Sequence, residues 1–165
     1  MAPSSRTGEV VQGPDGVTLV FEREWTNAPA DVWSALTDPD RLDRWFGRWS
    51  GDPSSGSVEV TMTAEEGAPA EAMTIDACER PHRLAVTTGH GWPLDLVLSP
   101  LPDGGTRLRF THALTDADDP ASTGVGWHYY LDRLDAVVAG RVPTDAWDVY
   151  FPALSGLYAG RTEPG

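Results

Sequence analysis

Arg23 and His112 are ionisable side chains standing where alternation asks for apolar ones. In Val17-Thr18-Leu19-Val20-Phe21-Glu22-Arg23-Glu24-Trp25 the odd positions are mostly apolar, which puts Arg23 on the face that a strand would bury. Leu108, Phe110 and His112 share a face in the same way. A guanidinium out of water is costly unless paired, so Arg23 is expected to meet a carboxylate inside the fold or a polar ligand group in a wet cavity. His112 ordinarily titrates near neutrality and would serve as a general acid or base, with His128 on a later helix able to approach it. The competing reading is a core histidine bonded to a tyrosine or a backbone carbonyl.

Seven tryptophans, at positions 25, 33, 45, 49, 92, 127 and 147, are the other chemical signal. Such rings fill a core or line a pocket for an aromatic ligand, and each indole N–H needs an acceptor once buried. Trp33 and Trp127 have apolar helical neighbours and read first as packing. Trp45, Phe46 and Trp49 precede the Gly- and Ser-rich stretch 51–56, which would form a rim or lid. Met62 and Met73 suit a pocket wall and a core equally. The candidate cavity set is Arg23, Trp25, Trp45, Phe46, Trp49, Met62, Met73, Trp92, Phe110, His112, Trp127, Tyr130 and Leu131.

Other chemistry has little support, and neither metal nor cofactor is expected. His82, His90, His112 and His128 show no paired metal spacing, and Cys78 alone makes neither a zinc cluster nor an internal disulfide. Asp103-Gly104-Gly105 reads as a hairpin turn, and Ser34, Ser99 and Ser155 lack a nucleophile-elbow context. Asp38, Asp40 and Asp43 read as caps and solvated acids. Asp116, Asp118 and Asp119 stand ahead of a long helix, where negative charge suits the positive end of its dipole.

The elements that must position these groups follow from periodicity. A tail to residue 8 leads into Glu9-Val10-Val11-Gln12, a turn at Gly13-Pro14-Asp15-Gly16, and the strand from Val17. A helix then starts with Asn27 or Ala28 as cap and Pro29 in its first turn, carrying Val32, Trp33 and Leu36. Thr37-Asp38-Pro39-Asp40 stops it and caps a second, in which Leu42, Trp45 and Phe46 recur at helical spacing. Five strands are expected at Ser57–Thr63, Ala70–Glu79, Arg83–Thr88, Leu94–Leu98 and Thr106–His112, their turn signals favouring antiparallel pairing. A long helix runs from about Pro120 to Ala139, with Trp127, Leu131, Leu134 and Val138 toward the sheet and Gly140 as its stop. Trp147, Tyr150, Leu154 and Tyr158 describe a last short helix. A sheet gripping one long helix encloses a cavity.

The chain of 165 residues suits one domain, read as 9–160 between tails at 1–8 and 161–165. Its net charge of -13 disfavours nucleic acid and anionic lipid as partners. All 12 basic residues are Arg, which reads as coding bias. The first residues lack the apolar core of a signal peptide and no run reaches membrane-spanning length, so the expected compartment is the cytoplasm.

Val32-Trp33-Ser34-Ala35-Leu36-Thr37-Asp38-Pro39, the Trp45-Phe46 that follows, Gly105-Thr106-Arg107-Leu108-Arg109-Phe110-Thr111-His112 and the Gly126-Trp127 helix together resemble the Hsp90-ATPase-activator-homologue group. That group belongs to the START-like (SRPBCC) superfamily of polyketide cyclases, aromatases and lipid-transfer proteins. The resemblance spans roughly residues 9 to 160. It implies an α+β helix-grip fold, a curved antiparallel sheet around a long C-terminal helix with a pocket between them, without implying one activity. The eukaryotic co-chaperone that names the group has a further N-terminal domain for its partner, for which these residues leave no length. The expected function is binding of a hydrophobic or aromatic small molecule in the cavity. The alternatives are an enzyme of the cyclase, aromatase or dehydratase kind and an interaction module with a chaperone or other protein partner; a homodimer is the default should the chain oligomerise.

Overall fold

Eight strands, in spatial order β1 (Glu9–Gly13), β2 (Gly16–Trp25), β8 (Thr106–Ala113), β7 (Pro93–Pro100), β6 (Arg83–Thr87), β5 (Glu71–Glu79), β4 (Ser57–Thr61) and β3 (Arg48–Ser50), form one antiparallel, curved, open sheet with a long helix across it. The computed structural model describes residues 8–14, 16–62, 67–115 and 118–158. The tails expected at 1–8 and 161–165, Gly8 excepted, lie outside the described residues, as do Asp15, Thr63 and Asp116.

β1 (Glu9–Gly13) and β2 (Gly16–Trp25) form the first hairpin. β2 then pairs with β8 (Thr106–Ala113), setting Leu19 opposite His112, Phe21 opposite Phe110 and Arg23 opposite Leu108. All six of these side chains are buried, as period-two alternation requires of one sheet face. β4 (Ser57–Thr61), β5 (Glu71–Glu79), β6 (Arg83–Thr87) and β7 (Pro93–Pro100) complete the expected strands. Leu94, Leu96 and Leu98 of β7 point into the core, whereas the inward residues of β5, Met73 and Ile75 among them, are only half-buried because the sheet there faces open space.

α1 (Pro29–Thr37) begins with Ala28 as its N-cap and Pro29 as its first residue, where a missing N–H costs nothing. Asn27 donates instead to the Asp31 carboxylate (2.7 Å) and to the Val138 carbonyl (3.2 Å). Asp38 ends α1 and opens α2 (Pro39–Asp43), its carboxylate accepting from the Asp40 amide at 2.9 Å. The helical spacing that would carry α2 through Trp45 and Phe46 does not hold. α2 stops at Asp43, and the chain enters a strand absent from the sequence reading, β3 (Arg48–Ser50), in which Trp49 pairs with Val60. Gly47 permits the turn, since a Cβ there would lie 2.3 Å from the Thr61 carbonyl oxygen.

α3 (Pro120–Val138) is capped by Asp119, whose carboxylate accepts from the Ala121 and Ser122 amides at 3.2 and 3.3 Å. It buries Val125, Leu131 and Leu134 against the sheet and ends before Gly140, which has φ 75°. The final helix divides into α4 (Trp147–Tyr150) and α5 (Ser155–Tyr158). Phe151, held extended ahead of Pro152, makes the break. Tyr150 and Tyr158 bury fully against α3.

Candidate functional site

The space between the sheet and the helices is incompletely filled. A chamber of about 880 Å³ lies under α1 and α2, with Trp33, Leu36 and Leu42 on one side and inward residues of β4 to β8, including Val60, Ile75, Leu96 and Phe110, on the other. Exposed lining residues, among them Asp38, Pro39, Pro53, Cys78 and Arg80, mark the opening between the α1–α2 break and the β5–β6 hairpin. A second chamber of about 780 Å³ lies beside the start of α3, among Met62, Ala68, Trp92, Asp118, Gly126 and Tyr130. Phe46, Val60, Met73 and Trp127 belong to both. Phe46 and Trp127 are stacked at 6.1 Å and 12°, and Phe110 meets Trp127 at 4.6 Å, so these rings form the partition.

Helix termination places two of the wall tryptophans. The carbonyl of Ala35 would meet the amide of residue 39 in a continuing helix, but residue 39 is proline and has no N–H. The Trp45 indole donates to that carbonyl at 2.8 Å, and Trp49 donates to the Thr37 carbonyl at 2.8 Å. The Thr37-Asp38-Pro39 break thus frees the acceptors that hold both rings. Trp25 donates to Asp135 (2.9 Å), Trp92 to Asp118 (3.1 Å) and Trp127 to His112 Nδ1 (3.0 Å). Trp33, 4% exposed, has no acceptor for Nε1 among the described residues. An unmet buried donor of this kind costs about 1–3 kcal/mol.

The Trp127 bond also fixes the state of His112. An indole only donates, so Nδ1 of His112 must carry a lone pair and the proton of the neutral ring sits on Nε2. Burial pushes the imidazole pKa down to about 4, against a smaller opposing pull from Asp118. His112 is fully buried with Trp92 against its face, ring centroids 4.7 Å apart, and its Nε2 has no partner among the described residues. At neutral pH it is therefore a fixed hydrogen-bond donor, and its one basic nitrogen is already engaged.

Arg23 is committed elsewhere. Its Nη1 donates to Asp132 (2.9 Å) and to Asp135, both on α3. Tyr150 donates to the other Asp132 oxygen at 2.7 Å, and desolvation, followed by that bond, raises its hydroxyl pKa. His128 lies 3.7 Å from Asp132 through Nε2 and 2.9 Å from the Tyr158 hydroxyl through Nδ1; that hydroxyl also accepts from the Gly8 amide at 2.9 Å. This network ties β2, α3 and the last two helices together on the side of α3 away from both chambers' linings.

Residues 27–139 match the family model described as Activator of Hsp90 ATPase homolog 1-like protein. The chain belongs to that family. Its fold is similar to the crystal structure of CalU16 from Micromonospora echinospora, with a TM-score of 0.71 and 27% identity over 96% of each chain. A protein from Bordetella parapertussis is similar at TM-score 0.72 and 26% identity, over 98% of this chain and 95% of that one. An AHSA1-like protein from Aeromonas hydrophila shares the fold at TM-score 0.60 and 22% identity, over 73% of this chain and 92% of its own. No curated protein matches the chain.

Within this AHSA1-like fold the candidate cavity set divides. Trp45, Trp49 and Phe110 line the larger chamber, Met62, Trp92 and Tyr130 the smaller, and Phe46, Met73 and Trp127 both. Arg23, Trp25, His112 and Leu131 line neither: the first two bond to α3 carboxylates, His112 lies beneath Trp92, and Leu131 packs in the core. His112 and His128 belong to separate networks. Sequence reasoning assigned Trp33 to packing and passed over Leu36 and Leu42, all three of which line the larger chamber. Helical spacing shows that such residues share a face but not whether the space opposite is filled. Among the described residues no helix is long and apolar enough to cross a membrane, and no three His, Cys, Asp or Glu gather as a metal site would require.

Proposed function

We propose that the chain binds a hydrophobic, partly aromatic small molecule in the larger chamber. The observation that carries this reading is a space of about 880 Å³, drug-sized, walled by aliphatic side chains and aromatic rings in a protein that owns enough tryptophan to fill it. Burying apolar ligand surface contributes roughly 25 cal/mol per Å² before the costs of association. Membership of a START-like family agrees with a pocket in this place.

Binding is favoured over turnover by the lining itself. Among the described residues of that chamber there is no His, Glu or Tyr, and Asp38 is exposed at the opening, so acid-base catalysis has no candidate inside. An interaction module calls for an exterior apolar patch and a filled interior. Trp147, Val149, Phe151 and Leu157 do stand exposed on the last two helices, but the interior is open.

Native mass spectrometry after incubation with a metabolite extract tests the proposal. A stoichiometric adduct that leaves on denaturation is the expected result, and a bare chain across several extracts would overturn it.

A further inference from the structure

The smaller chamber includes Glu71, Asp118 and Asp119 in its wall and no Arg or Lys among its described lining residues. Two of the three acids are already engaged: Glu71 lies 3.2 Å from His90 Nε2, and Asp119 caps α3 through both oxygens. Asp118 has capacity left. Its Oδ2 accepts from the Thr115 amide and hydroxyl at 2.8 and 3.0 Å, whereas among the described residues its Oδ1 accepts only from Trp92, at 3.1 Å, and keeps a lone pair. This half-buried carboxylate stands in the same wall as the rings of Phe46, Trp92, Trp127 and Tyr130. We propose that the smaller chamber binds an organic amine, its ammonium on Asp118 and its apolar body among those rings.

The Thr115 amide, against the opposing push of burial and helped by the Thr115 hydroxyl and the Trp92 indole, holds the Asp118 carboxyl below the usual carboxylate range, so it is ionised at neutral pH. A ligand that fills the chamber expels water from this charge. An ammonium replaces that water, whereas a neutral body leaves the carboxylate poorly solvated and an anion adds repulsion. The positive end of α3 faces the same way, but the Asp119 cap offsets it. The rings favour the same sign, because the negative face of Trp or Tyr attracts a cation. Burial orients the ligand. Phe46, Val60, Trp127 and Tyr130 are buried while His90, Asp119 and Ser122 are exposed, so the charged end lies toward the opening and the apolar end toward the Phe46–Trp127 partition. A space of about 780 Å³ suits a drug-sized amine, and its binding does not depend on occupancy of the larger chamber.

2-(2-Naphthyl)ethylamine, 2-(2-naphthyl)ethanol and 2-naphthylacetate carry one ring system with a cationic, a neutral and an anionic end. Calorimetric titration at neutral pH should show the amine bound about tenfold more tightly than the alcohol, equivalent to about 1.4 kcal/mol, and the acetate more weakly than the alcohol. Asp118→Asn keeps an oxygen for the Trp92 indole but removes the charge, and should bind amine and alcohol within about twofold of each other. Glu59→Gln removes one charge from the outward face of β4 and should keep the full preference, which separates Asp118 from the attraction that a net charge of -13 exerts on any cation. The Trp92 indole proton–nitrogen resonance of the wild type should shift further with the amine than with the alcohol. Equal binding of amine and alcohol by the wild type, a preference that survives Asp118→Asn or falls as much in Glu59→Gln, an unmoved Trp92, or binding of none of the three compounds would overturn the proposal. Should Asp118→Asn not fold, the wild-type ratios, the Glu59→Gln comparison and the Trp92 resonance decide the matter alone.

Discussion

His112 and Arg23 were conspicuous as polar residues on apolar faces, and neither lines a chamber: Arg23 is held by two carboxylates of α3, and His112 accepts from Trp127 through Nδ1 while its buried Nε2 has no partner among the described residues. With its folded pKa near 4, against an ordinary 6.5, His112 stays neutral while the unfolded chain takes up a proton. Its contribution to stability is full above pH 6.5 and is lost as pH falls through the window down to about 4. Urea unfolding at pH 7 and pH 4 should show His112→Asn losing less stability across that window than the wild type, by up to about 3 kcal/mol. An equal loss in both would contradict the buried neutral imidazole. Arg23→Met removes the cation shared by Asp132 and Asp135 and should cost about 3–5 kcal/mol in chemical denaturation. Affinity of the folded variant for 9-fluorenone, an uncharged aromatic probe of the larger chamber, should stay within twofold of wild type, because Arg23 lines neither chamber.

At the scale of elements, two glycines of α3 set apart by one residue have opposite roles. A Cβ at Gly124 would lie 2.3 Å from the Tyr158 ring, so Gly124→Ala should push α5 off α3 and lose about 1–3 kcal/mol. A Cβ at Gly126 meets nothing within 4 Å, and Gly126→Ala should gain about 0.5–1 kcal/mol from helix propensity. Thermal melts of the pair read both signs. Most elements were legible because alternation, proline and glycine punctuation act locally. The other strands, the limits of α1 and α3 and the Asp38 cap follow from residues within a few positions of each boundary. β3 was illegible for the same reason. Its three residues carry no period of their own, and it exists by pairing with β4 and by the close approach that Gly47 allows. The cavity was legible as a consequence of sheet and helix, but its wall was not, since whether Trp33 packs or lines depends on volume opposite it.

For the whole molecule, the charge and the interior point to different partners. A net charge of -13 keeps polyanions away, while the chambers offer apolar surface to a small molecule. The seven indole N–H groups report on every relevant region, so an indole-resolved proton–nitrogen NMR titration with 9-fluorenone tests occupancy of the larger chamber most directly. Occupancy predicts saturable shifts at Trp33, Trp45, Trp49 and Trp127, with Trp25 and Trp147 unmoved. Shifts confined to Trp147, on the exposed patch of α4, or no shift at any indole, would contradict it.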